Sequence, residues 1–394
     1  MTREEIKRLV DEVKADVIAW RRHLHAHPEL SFQEEKTAQF VYETLQSFGH
    51  LELSRPTKTS VMARLVGKQP GRVVAIRADM DALPIQEENT FEFASKNPGV
   101  MHACGHDGHT AMLLGAAKIF SQLRDTIRGE IRFLFQHAEE LFPGGAEEMV
   151  QAGVMDGVDV VIGTHLWSPL DLGKVGIVYG PMMAAPDRFF IRIIGKGGHG
   201  AMPHQTIDAI AIGAQVVTNL QHIVSRYVDP VEPLVLSVTQ FVAGTAHNVL
   251  PGEVEIQGTV RTFDDTLRHT VPQWMERIVK GITEAHGASY EFEFNYGYRP
   301  VVNYDEVTRV IEDTARELFG EEAVARLKPN MGGEDFSAFL QKAPGSFFYV
   351  GARNEEKGIV YPHHHPRFTI DEDALEIGVQ LFVGATLKLL AEAE

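Results

Sequence analysis

The chain has 394 residues, of which 44% are hydrophobic and 23% charged, as is usual for a globular protein with a large core. Its formal net charge of -17 argues against binding to nucleic acids and to anionic membranes. The single cysteine, Cys104, excludes an intramolecular disulfide, and neither a secretory signal nor an apolar run of about 18 residues is found, so we expect a cytoplasmic protein.

Helices and strands alternate in the first half of the chain. Apolar residues at helical spacing from Ile6 to Val17 predict a first helix, and a second is expected over about 34–48, ending at Gly49. Predicted strands follow at 61–66, 73–78, 131–136 and 158–163, with predicted helices at 109–123 and 146–152. This alternation predicts an α/β sheet with helices on both faces.

The order of elements changes at about residue 188. A strand (189–194), a helix (207–224), two strands (234–241 and 254–262), a helix (267–286) and a strand (290–295) follow the ferredoxin-like order β-α-β-β-α-β. After Pro300 we predict a helix, a strand at 346–350 and a long C-terminal helix. The sequence therefore predicts a catalytic α/β domain formed by residues 1–185 and 297–394, with a smaller domain inserted at 186–296.

Potential metal ligands are concentrated in a few short stretches, which are ADMD (78–81), MHACGHDGH (101–109), HAEE (137–140), GTH (163–165) and PHHHP (362–366). ADMD and HAEE directly follow predicted strands, and His165 is expected to close another. Open α/β sheets place their sites at the carboxyl ends of strands. Several loops are therefore expected to meet at one edge of the sheet.

The residue types in these stretches indicate which metal they would hold. A mixture of thiolate, imidazole and carboxylate suits zinc, with cobalt or manganese as alternatives. Five or more ligands are too many for one tetrahedral ion and fit two divalent ions, about 3.5–4 Å apart, that share a water. In a tight turn, Glu139 and Glu140 could both reach such a site, one as ligand and one as general base.

Each of these residues also has a simpler explanation. A single histidine is usually packed or on the surface, and paired glutamates usually form a solvated face. Cys104 could be an inert buried cysteine, or a nucleophile with His106 or His109 as its base. A nucleophile does not explain Glu139, Glu140 and His165, so their joint placement favours the metal site.

At these residues the chain resembles the M20 metallopeptidase family, and within it the N-acyl-amino-acid amidohydrolases, hippurate hydrolases and plant auxin-conjugate hydrolases. The resemblance covers nearly the whole chain and is carried by RRHLHAHPELSFQE, RADMDALPI, MHACGHDGHTAMLLG, FQHAEE, GTHLW, GKGGHGAMPH, AHNVLPGEVEIQGTVRTF, MGGEDF and HHHPRF. It implies an exopeptidase-like catalytic domain with a mixed sheet. It also implies that the inserted ferredoxin-like α+β domain acts as a lid and dimerisation domain.

The resemblance implies a role for individual residues of the catalytic domain. Asp81, which could otherwise be a turn residue, matches the aspartate behind the metals, and Glu139 matches the general base. His363 and His365 remain alternatives for the last ligand, although His364, two residues before Pro366, fits the family pattern best. The implied metal ligands are Cys104, His106, Glu140, His165 and His364.

Three residues of the inserted domain match family residues that meet the substrate. His199 would stabilise the oxyanion, within its own subunit or across a dimer, although it could also be a histidine in a glycine turn. Asn248 and Arg261 would bind the substrate or its carboxylate, although Arg261 could equally form a surface salt bridge.

The resemblance implies a two-metal hydrolase that splits small-molecule N-acyl amino acids into a carboxylic acid and an amino acid, working as a homodimer or homotetramer. The alternatives are a dipeptidase or carboxypeptidase on the same scaffold, a cysteine amidase, and a non-enzymatic protein that binds metals or small molecules. Phe142, Trp167 and Phe336 lie near the motifs and either line an acyl pocket or pack in the core.

Overall fold

The computed structural model describes residues 1–391, which form two compact units. Unit 1 contains Met1–Gly180, Val302–Lys328 and the chain from Asp335 onwards, and unit 2 contains Pro181–Val301 and Pro329–Glu334. Residues 329–334, predicted to belong to the catalytic domain, cluster instead with unit 2. The reason is a pair of backbone hydrogen bonds, from Ala184 N to Gly332 O and from Asn330 N to Met182 O.

The predicted long helices are all present. The first is capped by Thr2, whose hydroxyl accepts a hydrogen bond from Glu5 N, while the Glu5 carboxylate accepts one from Thr2 N. The α-helices within residues 1–391 are α1 (Arg3–Ala26), α2 (Glu35–Phe48), α3 (His106–Leu123), α4 (Ala146–Gln151), α5 (Ala209–His222), α6 (Asp265–Ala285), α7 (Asp305–Phe319), α8 (Ser337–Leu340) and α9 (Asp373–Ala391).

The predicted strands are also present, together with several short ones that the sequence pattern did not indicate. In the described part of the chain the strands are β1 (Glu52–Ser54), β2 (Val61–Val66), β3 (Gln69–Asp79), β4 (Arg128–Gln136), β5 (Val160–Asp171), β6 (Val175–Ile177), β7 (Gly180–Met183), β8 (Ala185–Ile194), β9 (Gly198–His199), β10 (Leu234–Val242), β11 (Val249–Leu250), β12 (Glu253–Thr262), β13 (Ser289–Asn295), β14 (Val301–Asn303), β15 (Val324–Arg326) and β16 (Gly345–Arg353).

Unit 1 is built on a mixed sheet with the strand order β1-β2-β4-β3-β5-β16-β6-β15. The central strands β4, β3, β5 and β16 are parallel, whereas β2 runs antiparallel to β4 and β6 runs antiparallel to β16. Apolar side chains of α1, α3 and α9 pack with those of the central strands in one continuous core. The predicted α/β fold with a mixed sheet is confirmed, and the carboxyl ends of its parallel strands share one edge.

The C-terminal helix α9 is long and apolar enough to cross a membrane by length and composition alone. The sequence analysis found no such run, because Asp373, Glu376 and Lys388 interrupt the apolar residues. In the fold, 67% of the apolar window is buried, and Leu381, Phe382 and Val383 belong to the core of unit 1. This helix therefore packs as a core element of unit 1.

Unit 2 contains an antiparallel sheet with the strand order β10-β12-β8-β13. Helices α5 and α6 pack on this sheet and share a core with it, which includes Phe189, Ile191 and Val260. Taken along the chain, β8, α5, β10, β12, α6 and β13 follow the predicted β-α-β-β-α-β order. Helix α5 begins later than predicted, because Asp208 caps it by accepting hydrogen bonds from Ile210 N and Ala211 N.

Candidate metal centre

The carboxyl ends of β3 and β4 bring two of the motifs together. These strands are parallel, and their last residues, Asp79 and Gln136, are direct partners in the ladder. Asp81 follows the end of β3, while Glu139 and Glu140 follow the end of β4. Adjacent ends of parallel strands therefore place these carboxylates in neighbouring loops, as the sequence predicted.

Strand β5 contributes His165 from its interior rather than from its end, which corrects the prediction that this residue closes the strand. Pairing of β5 with β3 stops at Gly163, but β5 continues to Asp171 beside β16, where His165 is opposite Tyr349. The strand is longer than predicted because β16 stabilises it on the other side. Within residues 1–391, the side of β5 away from β16 has no strand partner at His165.

The Cys-Gly-His stretch occupies the start of α3. This helix begins at His106, three residues earlier than predicted, and Gly105 precedes it with a φ of 93°. Glycine adopts this left-handed conformation without the steric cost that a side chain would add. Cys104 lies before this turn and His106 after it, and the donor atoms of both residues belong to the same cluster.

Cys104 belongs to two groups of possible metal ligands. Its sulfur is 3.4 Å from His165 Nε2, and Cys104, His106 and His165 have donor atoms within 4.8 Å of one another. Cys104 also forms such a group with Glu140 and His364, whose Oε1 and Nε2 atoms are 3.2 Å apart. Two groups that share one thiolate fit a pair of neighbouring ions better than a single ion.

His106 is held in the form that a metal ligand requires. Its Nδ1 lies 2.9 Å from the backbone oxygen of Asp81, and since a carbonyl oxygen only accepts, Nδ1 carries the proton. Its Nε2 is buried and has no hydrogen-bond partner among the described residues. It lies 3.6 Å from Asp79 Oδ2, 4.0 Å from Glu139 Oε2 and 3.9 Å from Glu140 Oε1. This orphaned nitrogen beside three carboxylates fits a bound cation.

The negative charge of the carboxylates around His106 also favours a bound cation. Burial lowers the pKa of His106, but the nearby carboxylates of Asp79 and Asp81 outweigh burial and raise the pKa to about 10. Burial, together with Glu140 and Glu139, raises the pKa of Cys104 well above its ordinary value. A divalent ion would replace the protons on both groups and would bind a thiolate and a neutral imidazole.

His109 supports the centre without offering a free donor atom. Its Nδ1 is 2.6 Å from Asp79 Oδ1, and its Nε2 accepts a hydrogen bond from Leu166 N at 2.8 Å. Because both ring nitrogens are engaged, His109 serves neither as a metal ligand nor as the base for Cys104. The raised pKa of Cys104 and these contacts of His109 disfavour the cysteine amidase that the sequence had left open.

The three consecutive histidines have different surroundings. His363 is largely buried, and its Nε2 accepts a hydrogen bond from Ser168 N at 3.1 Å, whereas the His365 ring stacks on Tyr361 with centroids 4.5 Å apart. Burial lowers the pKa of His363 to about 3. His364 faces Glu140, so geometry favours His364 as the donor in this stretch.

The aromatic residues near the motifs divide between site and core. Phe336 is fully buried and packs on Phe347 with ring centroids 4.9 Å apart, so it is a core residue. Trp167 is only partly buried, and its ring centroid lies 5.6 Å from that of His165 and 4.9 Å from that of His363. Of these two, Trp167 is therefore the one beside the candidate metal centre.

Unit 2 contains the three remaining candidate residues. His199 in β9 is paired with Val249 in β11, and Gly200 N donates a hydrogen bond to Asn248 O, so His199 and Asn248 lie on adjacent backbones. Arg261 in β12 donates to Met331 O at 2.9 Å and to the Thr259 hydroxyl at 3.2 Å. In contrast to the surface salt bridge considered from sequence, the guanidinium of Arg261 pairs with no carboxylate within residues 1–391.

Sequence reasoning missed the buried polar residues beneath the centre. Arg77 donates to Asp79 at 2.8 Å, to Asp335 at 2.9 Å and to Gln136 at 2.7 Å, and Gln136 also donates to Asp335 at 2.8 Å. This network fixes the ends of β3 and β4 relative to each other. A signal was available, because Arg77 interrupts an otherwise apolar strand, where a buried charge needs partners.

The chain is similar to known proteins over most of its length. The model of peptidase family M20/M25/M40 matches residues 75–388. The chain is 95% identical, over 306 residues, to an N-acyl-L-amino acid amidohydrolase of Geobacillus stearothermophilus, covering 78% of this chain and 83% of the relative. It is 42% identical to an N-acetylcysteine deacetylase of Bacillus subtilis (strain 168) over 367 residues, which are 93% of this chain and 94% of the relative.

A solved structure adds information on metals. The YXEP protein of Bacillus subtilis, described as a dinuclear metal binding peptidase from the M20 family, is similar with a TM-score of 0.84 and 38% identity. The similarity covers 96% of this chain and 99% of that protein. The whole fold is therefore shared with a protein that binds two metals.

Proposed function

The chain belongs to peptidase family M20/M25/M40, and from this premise we propose that it hydrolyses the amide bond of N-acyl-L-amino acids to a carboxylic acid and a free amino acid. The observation that carries the proposal is the pair of donor groups that share Cys104, with Glu139 beside them. The names of the two relatives, an N-acyl-L-amino acid amidohydrolase and an N-acetylcysteine deacetylase, support this class of substrate.

Two divalent ions fit the residues of unit 1. They would polarise the amide carbonyl and lower the pKa of a bound water. Zinc suits a donor set of this composition, with manganese or cobalt as alternatives. We assign the ions to Cys104, His106, Glu140, His165 and His364.

Glu139 is assigned to proton transfer. It lies 4.0 Å from His106 Nε2 and forms one group of possible metal ligands with His106 and Glu140. It takes a proton from the attacking water and passes it to the nitrogen of the leaving amino acid. Asp81 keeps His106 in its Nδ1-protonated form and thereby aims Nε2 at the centre.

The residues of unit 2 are assigned to the substrate. His199 stabilises the negative charge that develops on the carbonyl oxygen, within its own subunit or across a dimer. Asn248 and Arg261 bind the substrate, and a guanidinium that has no carboxylate partner in the described chain is suited to the carboxylate of an amino acid. We also propose that the domain inserted at 186–296 acts as a lid and joins subunits into a homodimer or homotetramer.

The decisive experiment is metal removal and reconstitution with a substrate panel. The purified protein would be stripped with a chelator and assayed for released amino acid with added zinc, manganese or cobalt. N-acetyl, N-benzoyl and indole-acyl amino acids would be compared with free dipeptides and with peptides. Metal-dependent hydrolysis of acyl amino acids supports the proposal. Hydrolysis of dipeptides or peptides alone would instead establish a dipeptidase or carboxypeptidase on this scaffold.

A further inference from the structure

One residue of the RRHLHAHPELSFQE segment is fully buried although it is charged in water and has no role in the chemistry assigned above. Glu34, the last residue of that segment, has no exposed surface and immediately precedes α2. Its Oε1 accepts a hydrogen bond from Ala138 N at 2.8 Å and another from Phe32 N at 3.1 Å. Burying a carboxyl group is costly without hydrogen-bond partners, so these two hydrogen bonds stabilise Glu34 in the interior of the fold.

Ala138 occupies a strained position directly before the general base. Its φ is 49°, in the left-handed region that residues with a Cβ atom rarely adopt, and its side chain is fully buried. Such a conformation persists only where the surroundings enforce it. Glu34 holds the N–H of Ala138 from one side, and Gly145 N donates to Ala138 O at 3.0 Å from the other.

The other end of the same short turn is held by a second buried carboxylate. Glu140 N donates to Asp81 Oδ2 at 3.0 Å, and Ser31, three residues before Glu34, donates its hydroxyl to the same oxygen at 2.7 Å. The residues before and after Glu139 are therefore each fixed through their backbone N–H. With both neighbours held, the backbone on either side of Glu139 is fixed by Glu34 and Asp81 together.

We propose that Glu34 is a positioning residue that holds the Ala138–Glu140 turn so that Glu139 and Glu140 reach the metal centre together. The inference deepens the proposed function and depends on it only for the identity of the substrate. Among the described residues, Glu34 is in none of the groups of possible metal ligands. It acts through the peptide group of Ala138.

The protonation state of Glu34 suggests the matched substitution. Burial, reinforced by the neighbouring Asp81 carboxylate, raises the pKa of Glu34 to about 7. A neutral carboxylic acid still accepts hydrogen bonds through its carbonyl oxygen, and the side-chain oxygen of glutamine can do the same. Glu34→Gln therefore preserves the contact with Ala138 N, whereas Glu34→Ala removes it.

The test compares Glu34→Ala, Glu34→Gln and the wild-type enzyme as holoenzymes, with Glu35→Ala as a control. Glu35 is the next residue but is exposed on α2, where its carboxylate pairs with Lys58. For Glu34→Ala we expect kcat to fall by about 10- to 100-fold, as is usual when a residue that orients a site is lost. KM should stay nearly constant, and Glu34→Gln and Glu35→Ala should resemble the wild type.

A second readout distinguishes positioning from general destabilisation. In the cobalt-substituted enzyme, Glu34→Ala should shift the visible absorption bands of Co²⁺, because Glu140 moves with the turn, and Glu34→Gln should restore the wild-type spectrum. If the alanine variant does not fold, Glu34→Asp, whose side chain is one methylene shorter, replaces it with the same expectations.

Two outcomes would overturn the inference. One is a Glu34→Ala enzyme with wild-type kcat and an unchanged cobalt spectrum, and the other is a Glu34→Gln enzyme as impaired as the alanine variant. Failure of the proposed function would give a different result from failure of this inference. In that case the wild-type enzyme itself hydrolyses no acyl amino acid, while the cobalt spectra of the variants still report on the turn.

Discussion

Asp81 contacts His106 twice, through its backbone oxygen at 2.9 Å from Nδ1 and through Oδ1 at 3.2 Å from the same nitrogen. Its other carboxylate oxygen accepts hydrogen bonds from Glu140 N and from Ser31. One buried carboxylate thus orients an imidazole and a glutamate that we assign to the metals. Support of this kind fixes the tautomer and the direction of a ligand.

The first prediction concerns this support. Asp81→Ala should weaken metal binding by about 10- to 100-fold, because His106 and Glu140 both lose a partner. Asp156→Asn, in an exposed loop, is the control and should bind metal as the wild type does. The measurement is the metal content after dialysis against a graded series of metal buffers. An unchanged affinity in Asp81→Ala would remove Asp81 from the supporting role.

The second prediction separates the two adjacent glutamates. Glu139→Gln should lower kcat by about 100- to 10,000-fold and leave the metal content intact, because a general base is lost while the ligands remain. Glu140→Gln should lower the metal content as well, since we assign Glu140 as a ligand. Activity and metal content measured on the same preparations distinguish the two. Loss of metal in Glu139→Gln would show that the roles are reversed.

The third prediction uses two of the three consecutive histidines, His364 and His365, as matched variants. His364→Ala should lose metal, because its Nε2 lies within the group formed with Cys104 and Glu140. His365→Ala should keep its metal, since the His365 ring stacks on Tyr361 outside that group. Metal per subunit, measured by elemental analysis, is the readout. Equal metal content in both variants would contradict the assignment.

Much of the fold could be read from local sequence patterns. Helical spacing of apolar residues and alternating or apolar runs predicted each long helix and the major strands, because these signals depend on neighbours in sequence. The short strands β1, β6 and β15 lie at or near the borders of the sheet and were not predicted, since three residues carry no recognisable period. The length of β5 depends on β16, which is about 180 residues further along the chain, and was also missed.

The possible metal ligands of the candidate site could be predicted from the sequence, but the residues that hold them in place could not. Thiol, imidazole and carboxylate groups are recognised by residue type, and the residues that follow β3 and β4 were correctly expected at one edge of the sheet, whereas His165 lies within β5. The contact between Glu34 and Ala138 spans 104 residues, and that between His25 and Asp107 spans 82. No spacing rule links such pairs, because they meet only when the sheet and its helices are assembled.

The fourth prediction concerns stability and pH at that second pair. His25 is buried between Asp107 Oδ2, 2.8 Å from its Nδ1, and Glu87 Oε1, 2.9 Å from its Nε2. Carboxylates only accept, so both ring nitrogens donate and the ring is charged. Burial lowers the pKa of His25, but Asp107 and then Glu87 outweigh burial, so that the pKa is raised in the folded state.

The sign of the pH effect follows from that direction. A group whose folded pKa is raised stabilises fully below its unfolded pKa, about 6.5 for histidine, and this contribution is lost as the pH rises through the folded pKa. The wild type should therefore exceed His25→Gln most in melting temperature below about pH 6.5, with the difference shrinking at alkaline pH. Melting curves at matched metal concentration test this. A constant difference would mean that the pKa of His25 is the same in the folded and unfolded states.

The last prediction tests a buried ion pair in unit 2. Arg268 donates to both carboxylate oxygens of Asp187, at 2.8 and 2.7 Å, and to Gly297 O at 2.8 Å, and both side chains are almost completely buried. Arg268→Met keeps the volume but leaves a buried carboxylate without its counterion. Removal of one partner of such a pair typically costs about 3–5 kcal/mol.

Arg192→Met is the matched control, because Arg192 pairs with Glu253 on the surface of the same sheet, where an ion pair contributes about 1 kcal/mol or less. A protein with two units does not have to unfold in one step, so the readout is hydrogen exchange of the α6 amides, which reports on unit 2 directly. Exchange should accelerate strongly in Arg268→Met and little in Arg192→Met. Equal exchange in both variants would mean that the buried pair of Arg268 and Asp187 contributes no more to the stability of unit 2 than the surface pair of Arg192 and Glu253.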